Sequence, residues 1–462
     1  MLKKSKTLSL FGLVMLITIA IDSIRNMPAT ALFGEQLIFF FVFSTLVFLL
    51  PVALVSATLS STFGEQSGIF IWTEHAFGAK TAFFAIWLQW INTVVWYPTI
   101  LSFIAGTAAY LINPMLAQNK IYLVSTILSV FWIMTFINLY GIKTSANFAS
   151  ICAVIGLLIP VTLIIILASV WLALGKPIHL SLTPNNIFPH FNRSESWISL
   201  TAIVTSFLGI ELACVHANKV NHPKKTFPKA LGVSTILILI TMIAGTLAIA
   251  LIIPRDQIHL VDGVMETFQL FFQVYHLQWL TPILAIMILI GSLGNMVNWI
   301  ISPAKGLQQA ACQNFLPKFF AKENKNGVAS HVLITQAILV SFICLAFLLI
   351  PTVNGSYWLL TDLSTELYVM MYVLIFLSAL VIHYKYRHDT KGFSIPGNQL
   401  GIWTTCIAGL FGCIVTIIVG FFPPTGINVG GAIHYEILFS GGVIVLLLPT
   451  LFFFYYKKNV TN

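Results

Sequence analysis

The feature that most limits what this chain can fold into is a succession of apolar runs, each long enough to cross a bilayer, repeated from one end to the other. A helix needs about 20 mainly apolar residues to span the hydrocarbon core, where backbone N–H and C=O groups find no water and must pair within their own segment. Twelve spans are expected by that criterion, near 8–33, 37–61, 80–112, 121–140, 146–174, 197–217, 229–253, 278–302, 330–350, 357–384, 400–422 and 433–456. Charged residues are 8% of the chain and hydrophobic residues 58%, a balance outside the range of soluble domains, so the fold class is all-α integral membrane. The opening "MLKKSKTLSLFGLVML" starts like a signal peptide. Its apolar run continues too far and no small-residue cleavage site follows, so it reads as a retained span.

Charge placement sets the expected orientation. With the N-terminus in the cytoplasm, cytoplasmic segments carry 18 Lys and Arg and outer loops carry four, the asymmetry of the positive-inside rule. Both termini are then cytoplasmic, in a plasma membrane of the bacterial inner-membrane type. The net charge of +9 is a topology signal and gives no reason to expect nucleic-acid binding. The six cysteines show neither CxxC nor metal-ligand spacing, and no HExxH is present, so no metal or cofactor is expected. Glycosylation-type triplets occur at 192–194 and 354–356.

The remaining basic residue, Arg25, lies inside the first span, in "AIDSIRNMPATALFG". Asp or Arg at a helix centre costs about 2.5 to 3.5 kcal/mol on the insertion scale. Intramembrane charges therefore mark functional sites unless a static pair absorbs them. Pro28 supplies a reason for the cluster: it lacks an N–H, its ring clashes with the carbonyl of residue 24, and it pushes Met27 out of the α region. The helix is expected to open over 22–27, with backbone lining a cavity and a half-helix starting near Pro28 that favours an anionic group. The competing reading is a packed Asp22–Arg25 pair beside a proline kink.

The sixth span offers a second break, where Ser206 and Gly209 precede a lone intramembrane acid, Glu211. Broken spans one and six, five helices apart, match two inverted five-helix repeats with a site between them. The expected organisation is a first repeat over 1–174, a second over 197–384, and two additional helices over 400–456. Candidate substrate-binding residues are Asp22, Ser23, Ile24, Arg25, Asn26 and Met27 from the first break. Ser206, Leu208, Gly209, Ile210 and Glu211 come from the second, and Trp96 is a candidate cavity wall. In span ten Asp362 and Glu366 share one helical face, four residues apart. Glu211, Glu366 and Asp22 are candidates for gating or proton coupling, with Arg25 pairing with Glu366 or Glu211. A static structural ion pair is the competing reading.

The stretch "SFLGIELACVHANKVNHPKKTFPKAL" resembles the sixth-helix signature of the amino acid-polyamine-organocation transporters, with Phe207, Gly209, Glu211, Pro223 and Pro228 matching. "EQSGIFIWTEHAFG" (65–78) resembles that superfamily's loop after helix two, and "SPAKGLQQAACQNFLPKFFAKENKNGV" (302–328) its loop after helix eight. "IPRDQIHLVDGVMETF", "AKENKNGV", "FSIPG" and "FFPPTG" are similar to loops of the glutamate/γ-aminobutyrate antiporter branch. The resemblance implies exchange of an acidic amino acid for its decarboxylation product, a pathway tyrosine at Tyr368, and association as a homodimer. Departures are Lys219 in place of an acid, Ser67 in place of a glycine, and a chain ending at "YYKKNVTN" with no plug for the cytoplasmic mouth. Span five has no lysine, and span eight offers Ser292 and Ser302 without an adjacent hydroxyl pair, so proton-linked exchange is favoured over sodium symport. The alternatives are a proton-coupled carrier or exchanger of cationic or neutral amino acids and, outside transport, a solute-sensing receptor on a transporter fold. An enzyme is not expected, because no cluster of His and acids gathers near one interface.

Overall fold

A computed structural model describes residues 9–461 except 64–67, 142–150, 153, 182, 190–193, 215–221, 387–392 and 425. Lys219, Ser67 and most of the 192–194 triplet lie outside the described residues. Every regular element among those described is helical. Nine of the helices are long and apolar enough to cross a membrane. The other three expected spans are the two interrupted ones and a 31-residue helix whose Gln89, Asn92 and Thr93 make it less apolar.

The first span is α1 (Leu10–Ile21) and α2 (Met27–Ala31), joined by a short irregular stretch. Ser9 caps α1 by accepting from the Gly12 N–H at 3.0 Å, which satisfies one of the orphan donors of a helix start. Then follow α3 (Gly34–Phe63), α4 (Ile69–Phe77), α5 (Ala79–Ala109), α6 (Lys120–Leu139) and α7 (Val154–Ala173). The sixth span is α8 (Ser194–Phe207) and α9 (Ile210–Cys214). The remainder is α10 (Pro223–Ile252), α11 (Gly263–Val274), α12 (Leu280–Cys312), α13 (Ser330–Leu349), α14 (Val353–Lys385), α15 (Asn398–Gly420) and α16 (Ala432–Thr461).

Three segments expected as loops are helical. The stretch after the second span holds α4, bounded by Gly68 and by Gly78, whose φ of +87° ends the helix in a conformation few side chains tolerate. The eighth span runs ten residues past its expected end at 302: Pro303 is accommodated inside α12 instead of ending it, and the Ala, Leu and Gln of "AKGLQQAAC" continue the helix. The loop after the seventh span carries amphipathic α11, whose Phe268, Phe271 and Phe272 are buried.

The bundle centres on α14, 67% of whose most apolar window is buried, against 17% for α16 at the edge. α5 packs along both α14 and α12, while α1 lies against α10 and α14 against α15. Small residues permit the closest approaches. A Cβ on Gly156 of α7 would stand 2.3 Å from the Gly291 Cα of α12, so these two helices meet backbone to backbone.

Candidate functional site

The first span opens where Pro28 and the polar cluster require it. Asp22 still donates its N–H to the Thr18 carbonyl at 2.8 Å, but its ψ of 123° and the extended Ser23 (φ −145°, ψ 112°) take the chain off the helix. Ile24–Asn26 form one 3-10 turn before α2 begins with Met27 and Pro28. Pro28 contributes no N–H, so a continuous helix would lose a bond there in any case. The sixth span opens at Leu208 and Gly209. Gly209 has φ +96°, open to glycine and costly for residues with a Cβ, and Glu211 falls in the first turn of α9.

A cavity of about 140 Å³ lies between the two breaks. By the same measure one water needs about 10 to 15 Å³, so the space is that of a small solute. Asp22, Ser23, Ile24, Arg25 and Asn26 line it from the first break, Ser206 and Leu208 from the second, and Trp96 and Tyr368 from α5 and α14. Four other expected residues form its frame instead. Met27 is fully buried against Gly245, Ile210 is fully buried, the Gly209 N–H donates to the Tyr372 hydroxyl at 2.9 Å, and Glu211 accepts from two tyrosines. Those donors are the Tyr368 hydroxyl at 2.5 Å and the Tyr372 hydroxyl, which tie the second break to α14.

Arg25 is only 5% exposed, and its contacts correct the expected pairing. Nη1 donates to Thr99 Oγ1 at 2.9 Å and to the Tyr357 hydroxyl at 3.2 Å, and Cζ stands 5.3 Å from the centre of the Trp96 ring. Neither Glu211 nor Glu366 is within ion-pair distance, since Glu211 is held by its tyrosines and Glu366 is turned toward α15. The competing Asp22–Arg25 pair is not formed either. Leaving the helix at residue 22 removes the i,i+3 geometry, and Asp22 Oδ2 accepts instead from Thr241 Oγ1 of α10 at 2.8 Å. Asp22 Oδ1 is buried without a hydrogen-bond partner.

Several lining residues were not anticipated: Asn92 and Thr93 of α5, Thr205 of α8, Gly156 of α7, Trp299 of α12, and Ser364 of α14, while Ser292 of α12, weighed above only for sodium, also lines the cavity. The Asn92 side-chain amide is 2.6 Å from the Ser364 hydroxyl, and the hydroxyls of Thr205 and Thr365 are 2.5 Å apart, which links α5 and α8 to α14. The available signal was polarity inside a span, strongest for Asn92. Away from the cavity, the other triplet, 354–356, holds the loop before α11: Asn354 accepts from the Leu260 N–H at 2.9 Å and donates to the Ile258 carbonyl at 3.0 Å.

A bundle of membrane-crossing helices with two interrupted ones around a small cavity, lined by polar and apolar side chains together, defines a class of multi-pass solute carriers. A family model described as amino acid permease matches residues 8–447. An uncharacterized transporter of Legionella pneumophila is 38% identical over 438 residues, covering 95% of this chain and 94% of its own. A glutamate/gamma-aminobutyrate antiporter of Lactococcus lactis is 28% identical, covering 94% and 87%. A probable agmatine/putrescine antiporter of the same species is 24% identical, covering 85% and 83%. The chain belongs to the amino acid permease family of the amino acid-polyamine-organocation superfamily, and is a multi-pass membrane transporter.

Proposed function

We propose that this transporter exchanges a glutamate-like amino acid for its decarboxylation product by alternating access across the plasma membrane, with both termini cytoplasmic. The observation that carries the reading is a buried guanidinium in the cavity wall, held by neutral groups and facing the space between two broken helices. A buried cation that lacks an anionic partner is costly, and a substrate carboxylate would supply the partner. Asp22 Oδ1, buried and unpartnered, is the complementary group for the substrate ammonium. The Asn26 N–H is held by the Ser23 carbonyl at 3.2 Å, which leaves the backbone of residues 23–25, off the helix, to offer N–H groups to the second carboxylate. The Lactococcus lactis relatives that are glutamate/gamma-aminobutyrate antiporters agree with this chemistry. The helices of 1–174 and 197–384 are read as two inverted repeats, with 400–456 outside them.

A second reading, exchange of cationic solutes, draws on the open Asp22 oxygen and on the agmatine/putrescine relative. Counterflow separates the two. Proteoliposomes loaded with glutamate, γ-aminobutyrate, arginine, putrescine or nothing are given labelled glutamate at acidic and neutral pH. Uptake that requires internal glutamate or γ-aminobutyrate and is lost in Arg25→Ala supports the acidic exchanger. Indifference to glutamate with response to arginine or putrescine overturns it.

A further inference from the structure

Asp362 and Glu366 lie on the face of α14 that turns away from the cavity. Residues two apart on a helix are separated by about 200°, so when Ser364 and Tyr368 face the cavity, Asp362 and Glu366 face the other way. That other side is closed by α15 and α16. A Cβ built on Gly420, the last residue of α15, would stand 2.2 Å from Glu366 Oε1 and 3.2 Å from Asp362 Oδ1, so both carboxyl groups converge on one bare patch of backbone. The Tyr435 hydroxyl of α16 donates to Asp362 Oδ2. Glu366 is 0% exposed and neither of its oxygens has a hydrogen-bond partner, and Asp362 Oδ1 also has none.

Two neighbouring carboxylates in a low-dielectric interior with no cation between them cannot both stay ionised. The titratable groups facing them are the Tyr435 phenol from α16 and the Cys413 thiol from α15, neither of which can carry a positive charge. Neither carboxyl group has a Lys, Arg or His among its described ion-pair partners. The missing positive charge is therefore a bound ion. Beside the two carboxyl groups, the oxygens at hand are the Tyr435 hydroxyl, committed to Asp362 Oδ2, and the Gly420 carbonyl 3.4 Å from it, fewer than the roughly six to eight of a calcium-type shell, which favours a proton. We propose that Asp362 and Glu366 form a proton-binding dyad, physically separate from the substrate cavity, whose loading is transmitted to that cavity through α14. The proton sits on a Glu366 oxygen and is shared toward Asp362 Oδ1, while Tyr435 holds Asp362 Oδ2. Its release leaves two repelling carboxylates between α14 and α15, and the helix that must yield carries Ser364 and Tyr368 on its opposite face. The coupling half of this proposal rests on the transport reading above, and the binding half does not.

The test therefore uses two readouts on the full chain in liposomes. Without any substrate, infrared difference spectroscopy follows the protonated-carboxyl band as the pH is raised. The expected result is a titrating band that is lost in Glu366→Gln and altered in Asp362→Asn and Tyr435→Phe, each variant checked as monodisperse before reconstitution. With a transported substrate, the acid-to-neutral ratio of uptake is expected to fall to about one in Glu366→Gln while substrate affinity is retained. A wild-type band in both Glu366→Gln and Asp362→Asn, or in whichever of them is recovered folded, overturns the dyad whatever the substrate. A band displaced by sodium but not by choline overturns it in favour of a metal cation. Band loss with an unchanged uptake ratio overturns the coupling and leaves the proton site standing. Failure of glutamate counterflow, by contrast, bears only on the substrate assignment.

Discussion

The guanidinium of Arg25 lies over the indole of Trp96, 5.3 Å from the ring centre, in the wall of the cavity. The ring's negative face steadies a cation without neutralising it, so the charge remains available to a ligand. Arg25→Ala is expected to weaken glutamate binding on the order of 100-fold, the scale of truncating one side of a buried charged contact. Arg25→Lys should recover little, because a lysine cannot offer the planar fork. Equilibrium binding of labelled glutamate to detergent-purified protein measures both, and full binding by Arg25→Ala would remove Arg25 from the site.

Tyr372 performs two tasks at the second break, donating to Glu211 and accepting from the Gly209 N–H. Tyr372→Phe leaves both partners buried and underpaired, a loss of about 1 to 3 kcal/mol per unsatisfied group. Thermal unfolding followed by tryptophan fluorescence should show a lower midpoint, and Tyr368→Phe a smaller drop because Glu211 and the Gly209 N–H both keep Tyr372. Equal midpoints for Tyr372→Phe and wild type would mean that the break is held by other contacts.

At the contact of α7 with α12, Gly156→Ala puts a methyl where 2.3 Å is left to the Gly291 Cα. Backbone must separate, at a cost of roughly 1 to 3 kcal/mol, and the adjoining cavity wall moves with it. The expected outcome is reduced uptake with substrate affinity changed less than tenfold, read from paired transport and binding assays. An Ala variant with wild-type uptake would refute a tight requirement.

The loop before α11 should loosen as pH rises. Burial pushes Asp262 up to about 6, where Tyr110 and Gln118 donate to it, and the hydrogen bond to Glu266 holds His259 above its ordinary value. The closed loop therefore prefers the proton on both groups. The preference is complete below the ordinary aspartate value of 3.8, is lost for Asp262 as pH climbs to about 6, and is lost for His259 beyond 6.5. Hydrogen exchange of 258–266, corrected for intrinsic rates, should quicken over that range. Asp262→Asn should abolish the lower part of the change, and an unaltered profile in that variant would refute the assignment.

Much of this was legible because membrane interiors leave little choice. Pro98 and Pro303 sit inside unbroken helices, so a proline or glycine alone does not mark a break; Pro28 and Gly209 each stand beside intramembrane charge, and that combination made both breaks legible. Partners were harder to read. Arg25 finds Thr99 and Tyr357, residues 74 and 332 positions away, and uncharged hydroxyls carry no signal in a chain rich in them. Glu211, a lone acid, and Glu366, four residues from Asp362 on one face, were both candidates for gating or proton coupling, yet one is claimed by two tyrosines and the other lies against a bare glycine on another helix. Helical spacing did separate the two faces of α14; which face met the cavity depended on the packing of α5 and α15 around it.

The bare contact of Gly156 with Gly291 also bears on how freely the bundle can work. Interlocked side chains must climb out of one set of notches and drop into another when helices slide, a toll levied at every step. Two smooth backbones have no notches. At this one point, beside the cavity, nothing but backbone stands between α7 and α12, so no interlocked side chain there fixes their register.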